Sequence, residues 1–239
     1  MSEKKKQGEL REVTEELIGM QGNKIFNTLK GMTLQPGLVA EYYLKGGRDR
    51  FLSPVVYFFA LLTLQFLIAS LTGFLDRLTE YQMENIATAF GDDDNLSAEQ
   101  VELMVDQFSG FVLFFMSEIG QKLVILPIGL FFAWLIYRKL RSGIKPHIWI
   151  ALYAFGHISL ITILVSLLWN VGLSLEAVNY STMVLSVCYW IYATGRFYKL
   201  SVAKAIWIGL LYYVVYLVFF ALVGGAFGAY IGFQVASMQ

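Results

Sequence analysis

Few side chains in this sequence have the type and spacing to do chemistry, and those few sit at the edges or interiors of apolar runs. Glu118 and Lys122 are four residues apart with the acid first, the favourable order for a helical ion pair. They flank the outer end of the apolar run Ile119 to Tyr137. His157 lies deep in a second run and Gln65 in a third. Polar and ionisable groups at membrane depth are costly, which makes these four the candidate intramembrane polar site. Plainer roles compete with chemistry at each. The Glu118–Lys122 pair at an outer boundary reads as solvated. His157, beside Gly156 and Ser159, reads as a neutral, hydrogen-bonded core histidine, and His147 at a span edge as solvated.

Asp92-Asp93-Asp94-Asn95 lacks the sixth-position glycine and distal glutamate of a twelve-residue calcium loop, so it reads as a solvated turn. The lone Cys188 excludes an internal disulfide or an all-cysteine metal cage, and reads as a small buried hydrophobe. No phosphate-cradling loop, zinc-ligand spacing or nucleophile elbow occurs. The expectation is therefore no catalytic residue, no cofactor, no metal and no enzyme.

The elements that hold these residues follow from composition. Of 239 residues, 57% are apolar and 15% charged, against about 45–50% and about 25% in soluble domains. The excess collects in blocks near the roughly 20 residues that cross a bilayer. The expected fold class is all-α: an integral membrane helical bundle of about five spans. These fall near 53–75, 119–137, 148–169, 178–195 and 205–233, all within a membrane domain of 53–239. Span two should be the inner half of a longer helix. Val101, Met104, Val105, Phe108, Phe111, Val112 and Phe115 repeat at helical spacing upstream of it, and Ser97 with Gln100 fits a capping box. The end of span one extends similarly through Ile86 and Phe90. The two extensions then form an extracytoplasmic helical hairpin, 76–118, and Pro127-Ile128-Gly129 interrupts span two.

Residues 1–52 form a cytoplasmic segment, opening with Lys4-Lys5-Lys6 and a charged helix from Glu9 to Met20. It lacks an apolar h-region, so no cleavable signal peptide is expected. Pro36 opens a helix from Gly37 to Lys45 that stops at Gly46-Gly47. With Tyr42 and Tyr43 near one face and Arg48 and Arg50 beside it, this segment reads as an interfacial helix whose four side chains anchor lipid headgroups.

Charge fixes the threading, because lysine and arginine near spans favour the cytoplasmic side. With the N-terminus inside, sixteen of the eighteen basic residues fall on inner segments, including Lys45, Arg138, Arg141, Arg196, Lys199 and Lys204; only Arg77 and Lys122 fall outside. Ten acids from Asp76 to Glu118 occupy the outer hairpin. The localisation expected is the bacterial inner (plasma) membrane, multi-pass, with the C-terminus extracytoplasmic. In span five, Gly224, Gly228 and Gly232 recur every four residues as a glycine zipper for helix packing, against another span of the chain or a second copy.

The segment from Lys30 to Phe59, KGMTLQPGLVAEYYLKGGRDRFLSPVVYFF, resembles the signature of a bacterial family of uncharacterised multi-span membrane proteins. Pro36, Gly37, Tyr43, Gly46, Arg48 and Pro54 match that pattern, while the middle lysine of its Gly-Lys-Arg-like stretch is replaced, since Gly47 and Asp49 flank Arg48. Many relatives carry an N-terminal cysteine pair resembling a zinc ribbon. This chain has none, so the resemblance implies architecture and no zinc. The layout is also similar, without a specific motif, to five-span Yip1-type membrane proteins. The function expected is a non-enzymatic inner-membrane scaffold or interaction protein, with membrane lipids, a homo-oligomer or a membrane protein as partners and no nucleic acid. A small-molecule or ion permease is the alternative, and would show a polar cavity around His157, Gln65 and the Pro127 bend.

Overall fold

The computed structural model describes residues 22–91 and 97–237. The charged helix at 9–20 and the turn at 92–95 lie outside these residues. Among the described residues every regular element is helical, and each helix starts and stops on local chemistry. Helix α1 spans Gly22–Leu34. Pro36 then occupies the first position of α2, Pro36–Leu44, where its missing N–H leaves no bond unmade. Gly46 ends that helix at a φ of +94°, a left-handed conformation that favours glycine. Helix α3, Pro54–Leu71, repeats the device: Pro54 opens it and the Ser53 hydroxyl accepts from the Val56 amide. Helix α4 is Phe74–Gly91. Helix α5, Ala98–Met116, begins with the expected capping box, Ser97 and Gln100 bonding reciprocally.

The expectation that spans one and two each continue as one long helix into the hairpin is corrected: Gly73, at a φ of +70°, separates α3 from α4, and at Ser117 the backbone turns extended (φ −66°, ψ 155°), ending α5 before the next helix. Helix α6, Glu118–Tyr137, follows, with a π-helical turn over Gln121–Ile125 directly before Pro127. A proline ring collides with the carbonyl four residues back. Widening the preceding turn removes that collision, so the expected interruption takes the form of a π-segment. Helices α7 (Lys145–Ser166), α8 (Leu175–Tyr198) and α9 (Val202–Ala236) complete the bundle.

Four of these helices, α3, α6, α7 with its following turn, and α9, are long and apolar enough to cross a membrane. Helix α8 has the length, with 24 residues, but Asn179, Ser181, Thr182 and Ser186 dilute its apolar content. Helix α9, at 35 residues, is about 52 Å long. That exceeds a hydrocarbon core of about 30 Å. Its C-terminal half packs on α5, where Phe111 and Phe227 stack with centroids 4.3 Å apart and Gln107 donates to Gln234 at 2.9 Å. Helix α4 packs on α5 through Phe90 and Phe108, 5.5 Å between centroids.

Helix α7 is the central element. Ala151, Ala154 and Gly156 keep its surface small, so α3 and α8 both approach closely. Its own Tyr153 is fully buried, and around it lie the buried Trp190, Tyr137 and Tyr212, with Trp190 stacked on Tyr212 at 4.3 Å. Two expectations change here. His147 is fully buried rather than solvated: its Nδ1 lies 2.6 Å from the Tyr198 hydroxyl and its Nε2 3.0 Å from the Arg141 carbonyl. Cys188 is exposed on the outer face of α8 rather than buried.

Candidate functional site

The segment before the first long helix is built into the bundle. Pro36 cannot donate to the carbonyl of Met32 four residues back, and Leu34 is the last residue of α1, so both carbonyls need outside donors. Tyrosines of α8 supply them: Tyr189 donates to the Met32 carbonyl at 2.9 Å and Tyr192 to the Leu34 carbonyl at 2.7 Å. On the other side, the Leu52 amide donates to Thr28 Oγ1 at 2.9 Å, and the Tyr153 hydroxyl donates to the Leu52 carbonyl at 2.5 Å. Met32, Val39 and Ala40 are fully buried as a result.

His157 belongs to the same seam. Its Nδ1 is 2.7 Å from the Tyr57 hydroxyl and its Nε2 is 3.3 Å from Thr33 Oγ1, with the Tyr189 ring stacked 4.6 Å away. Thr33 spends its own proton on the Leu29 carbonyl at 2.9 Å, so it accepts from Nε2–H. That tautomer leaves Nδ1 to accept from Tyr57. Both ring nitrogens of the neutral imidazole are thus occupied, one by Thr33 and one by Tyr57.

The four expected anchors also bond inward. Tyr42 donates to Asp49 at 2.7 Å, which holds the Asp49 carboxyl below its usual range and raises the Tyr42 phenol. Arg48 donates to the Tyr43 carbonyl at 2.8 Å and stacks 3.6 Å over that ring. Tyr43 in turn meets Trp149 edge-on at 4.9 Å. Arg50 lies 5.3 Å over Phe51. These contacts clamp the loop between α2 and α3.

Beside α2, a groove of about 790 Å³ is lined by Gln35, Glu41, Lys45, Arg196 and Lys199. Gly37 makes it: a Cβ there would stand 2.7 Å from the Arg196 carbonyl oxygen, so only glycine lets α2 rest on the end of α8. Glu41 is bound by Arg141 at 2.7 Å, and Arg141 lies 4.8 Å over the Phe197 ring. Burial alone would raise the Glu41 carboxyl; the hydrogen bond and charge of Arg141, with Lys45 and Lys199, outweigh it and hold it below the ordinary 4.5. A depressed folded-state value stabilises the fold above the ordinary carboxylate range and loses that contribution as pH falls through it. The thermal midpoint of Glu41→Gln should therefore sit below the parent's at pH 7 and converge on it below pH 4, measured by melting in detergent.

Glu118 and Lys122 come together elsewhere, apart from Gln65. Lys122 pairs with Glu118, and both reach Thr63 of α3, at 3.4 and 3.3 Å. Thr63 is nine residues into α3, about 14 Å along it, so the pair faces the middle of that helix rather than its end. Two residues on, about half a turn round α3, Gln65 lines a cavity of about 270 Å³ with Gln121, Ser159, Thr162 and Tyr216, a group the sequence pattern did not single out. The glycine row of α9 meets almost nothing among the described residues. A Cβ at Gly224, Gly225 or Gly232 would have open space, and one at Gly228 only Phe108 at 3.9 Å. Among the described residues no group of three His, Cys, Asp or Glu side chains could hold a metal ion.

The described residues thus form an all-helical bundle with four helices long and apolar enough to cross a membrane. A family model described as "Protein of unknown function (DUF3667)" matches residues 23–66. That stretch covers nearly all of α1, the whole of α2, the clamped loop and α3 as far as Phe66. No curated protein and no solved structure matches the chain.

Proposed function

We propose that the chain is a non-enzymatic scaffold or interaction protein of the bacterial inner membrane. It crosses five times, with α8 as the fourth crossing, the N-terminus cytoplasmic and the C-terminus outside. The observation that carries this is the α1–α2 unit. Hydrogen bonds from α7 and α8 lock it to the bundle, so the groove bearing Lys45, Arg196 and Lys199 is a rigid display rather than a loose tail. Basic residues on the inner side favour lipid headgroups and acidic partner segments. In this threading α4 and α5 form the extracytoplasmic hairpin. The open glycine row of α9 offers close approach to a second copy or another membrane helix. The enclosed state of His157 weighs against a permease path through it.

The test is photo-crosslinking in native membranes from a probe at Leu38, which lines the groove, with topology read in the same cells. Crosslinks to lipid or to a membrane protein should appear and fall at least fivefold in Lys45→Glu/Arg196→Glu/Lys199→Glu. A cysteine replacing Glu99, in a Cys188→Ser background, should react with an impermeant maleimide from outside. Recovery of the chain alone from liposomes that leak solute would overturn the scaffold reading. Protection of the Glu99 position would overturn the threading.

A further inference from the structure

We infer that the cavity between α3, α6, α7 and α9 is a binding site for an uncharged, hydrogen-bonding group. The inference goes beyond the scaffold reading and rests only on the bundle crossing a membrane. Gln65 is eleven residues into α3, about 16 Å along it, and Ser159 and Tyr216 are each about 21 Å along α7 and α9. Such depths fall in the hydrocarbon layer of a bilayer about 30 Å thick.

The lining has hydrogen-bonding capacity it does not use. Each glutamine offers two donors and an acceptor oxygen, and each hydroxyl both roles. Among the described residues, Gln65, Gln121, Ser159 and Tyr216 make no side-chain hydrogen bond, while Thr162 donates to the Ile158 carbonyl at 3.0 Å. Polar groups at this depth normally pair with one another or mark a ligand path. Here they converge on a shared space of about 270 Å³. At about 30 Å³ per water in the liquid, that is room for about nine waters, or for a small headgroup.

The backbone contributes as well. Gln121 opens the π-turn, and π-turns inside α-helices occur frequently at functional sites. Pro127 supplies no N–H to that turn, so one of its carbonyls lacks a helical donor. Irregular backbone at membrane depth is tolerated where it is buried in protein or lines a cavity. The break at Ser117 is one turn further out.

Charge selects the ligand class. Among the described residues no ionised side chain lines the cavity; Glu118 and Lys122 pair with each other at Thr63, outside its lining. An ionised ligand would find no counter-charge. Phe58, Leu62, Ile125, Leu126 and Phe155 complete the wall, so the guest is a hydroxyl or ester group with an apolar part beside it. Two sources share that chemistry, the head of a neutral glycerolipid and a free polyol.

The test uses the full chain in phosphatidylcholine nanodiscs, with photoactivatable dioleoylglycerol as the first probe and radiolabelled glycerol as the second. Dioleoylglycerol should label peptides of α3 and α6, and Gln65→Leu/Gln121→Leu should lower labelling at least tenfold. Tyr216→Phe, which keeps shape and removes one hydroxyl, should lower it about threefold. Ser70→Leu, on the neighbouring groove of α3, should leave it unchanged. Saturable glycerol binding lost in the same variants would assign the site to a free polyol instead. The inference is overturned if neither probe binds. It is equally overturned if labelling persists in folded Gln65→Leu/Gln121→Leu and Tyr216→Phe, or if a photoactivatable anionic phosphatidylglycerol labels these peptides as strongly.

Discussion

Gly120→Ala should destabilise the fold by about 3 kcal/mol, the upper range for forcing extra volume into a packed site. A Cβ at Gly120 would overlap the Phe114 carbonyl oxygen and lie 2.8 Å from its carbon and 3.1 Å from the Phe115 Cα. All three are backbone atoms, so no side chain can swing away. The Phe114 oxygen is also fixed, because it accepts the Ser117 hydroxyl at 2.7 Å while the Gly120 amide donates back to Ser117 Oγ at 3.0 Å. Moving it undoes the corner between α5 and α6. The midpoint of thermal unfolding in detergent should fall by about 6–12 °C for a chain of this size. Gly224→Ala, with nothing within 4 Å, is the control. It should be neutral or slightly stabilising, since glycine inside a helix costs about 0.5–1 kcal/mol relative to alanine. Equal effects at the two positions would mean that the corner is not built as described.

That contrast marks what the sequence can and cannot disclose. Pro36, Pro54, Gly46 and the Ser97–Gln100 box act within a few residues, and each does locally what its spacing predicts. The apolar blocks behind four membrane-competent helices are equally local. The tertiary facts are not. Nothing near His147 announces that Tyr198, 51 positions away, will enclose it. The Tyr and Arg residues at 42, 43 and 48 have the composition of a headgroup anchor, and their partners Asp49 and Trp149 appear only when the loop folds back. Glu118 and Lys122 follow from four-residue spacing; their position opposite mid-α3 depends on where the break at Ser117 aims α6. Gln65 was legible as a lone polar residue in an apolar run. Gln121 was hidden at the start of its run, and Thr162 and Tyr216 read as ordinary members of theirs. A four-residue glycine repeat shows that close packing is feasible, without saying on which molecule.

Gly156→Leu should be the most damaging single change, because it strikes where α7 meets α3. An added Cβ alone would stand 2.9 Å from Tyr57 Cδ1 and 3.0 Å from the Phe58 Cα. The first neighbour is a ring that could rotate; the second is backbone, so α3 itself must withdraw. A full leucine adds three more carbons to that wedge, at a cost of about 3 kcal/mol. Retreat of α3 also carries Tyr57 away from His157, 2.7 Å from it in the native fold. Leaving that buried nitrogen without a donor costs about 1–3 kcal/mol more. Against a typical stability of about 5–15 kcal/mol, Gly156→Leu should fall sharply in yield of folded, monodisperse protein. Tyr57→Ala provides the internal check. By itself it abolishes the hydrogen bond and opens a cavity, yet combined with Gly156→Leu it frees the space the leucine needs beside the ring. The double variant should then be less damaged than the two single losses added together, the non-additivity expected of touching residues. Strict additivity, or a harmless Gly156→Leu, would show that α3 and α7 are not in contact at this level, and the enclosure of His157 would fail with it.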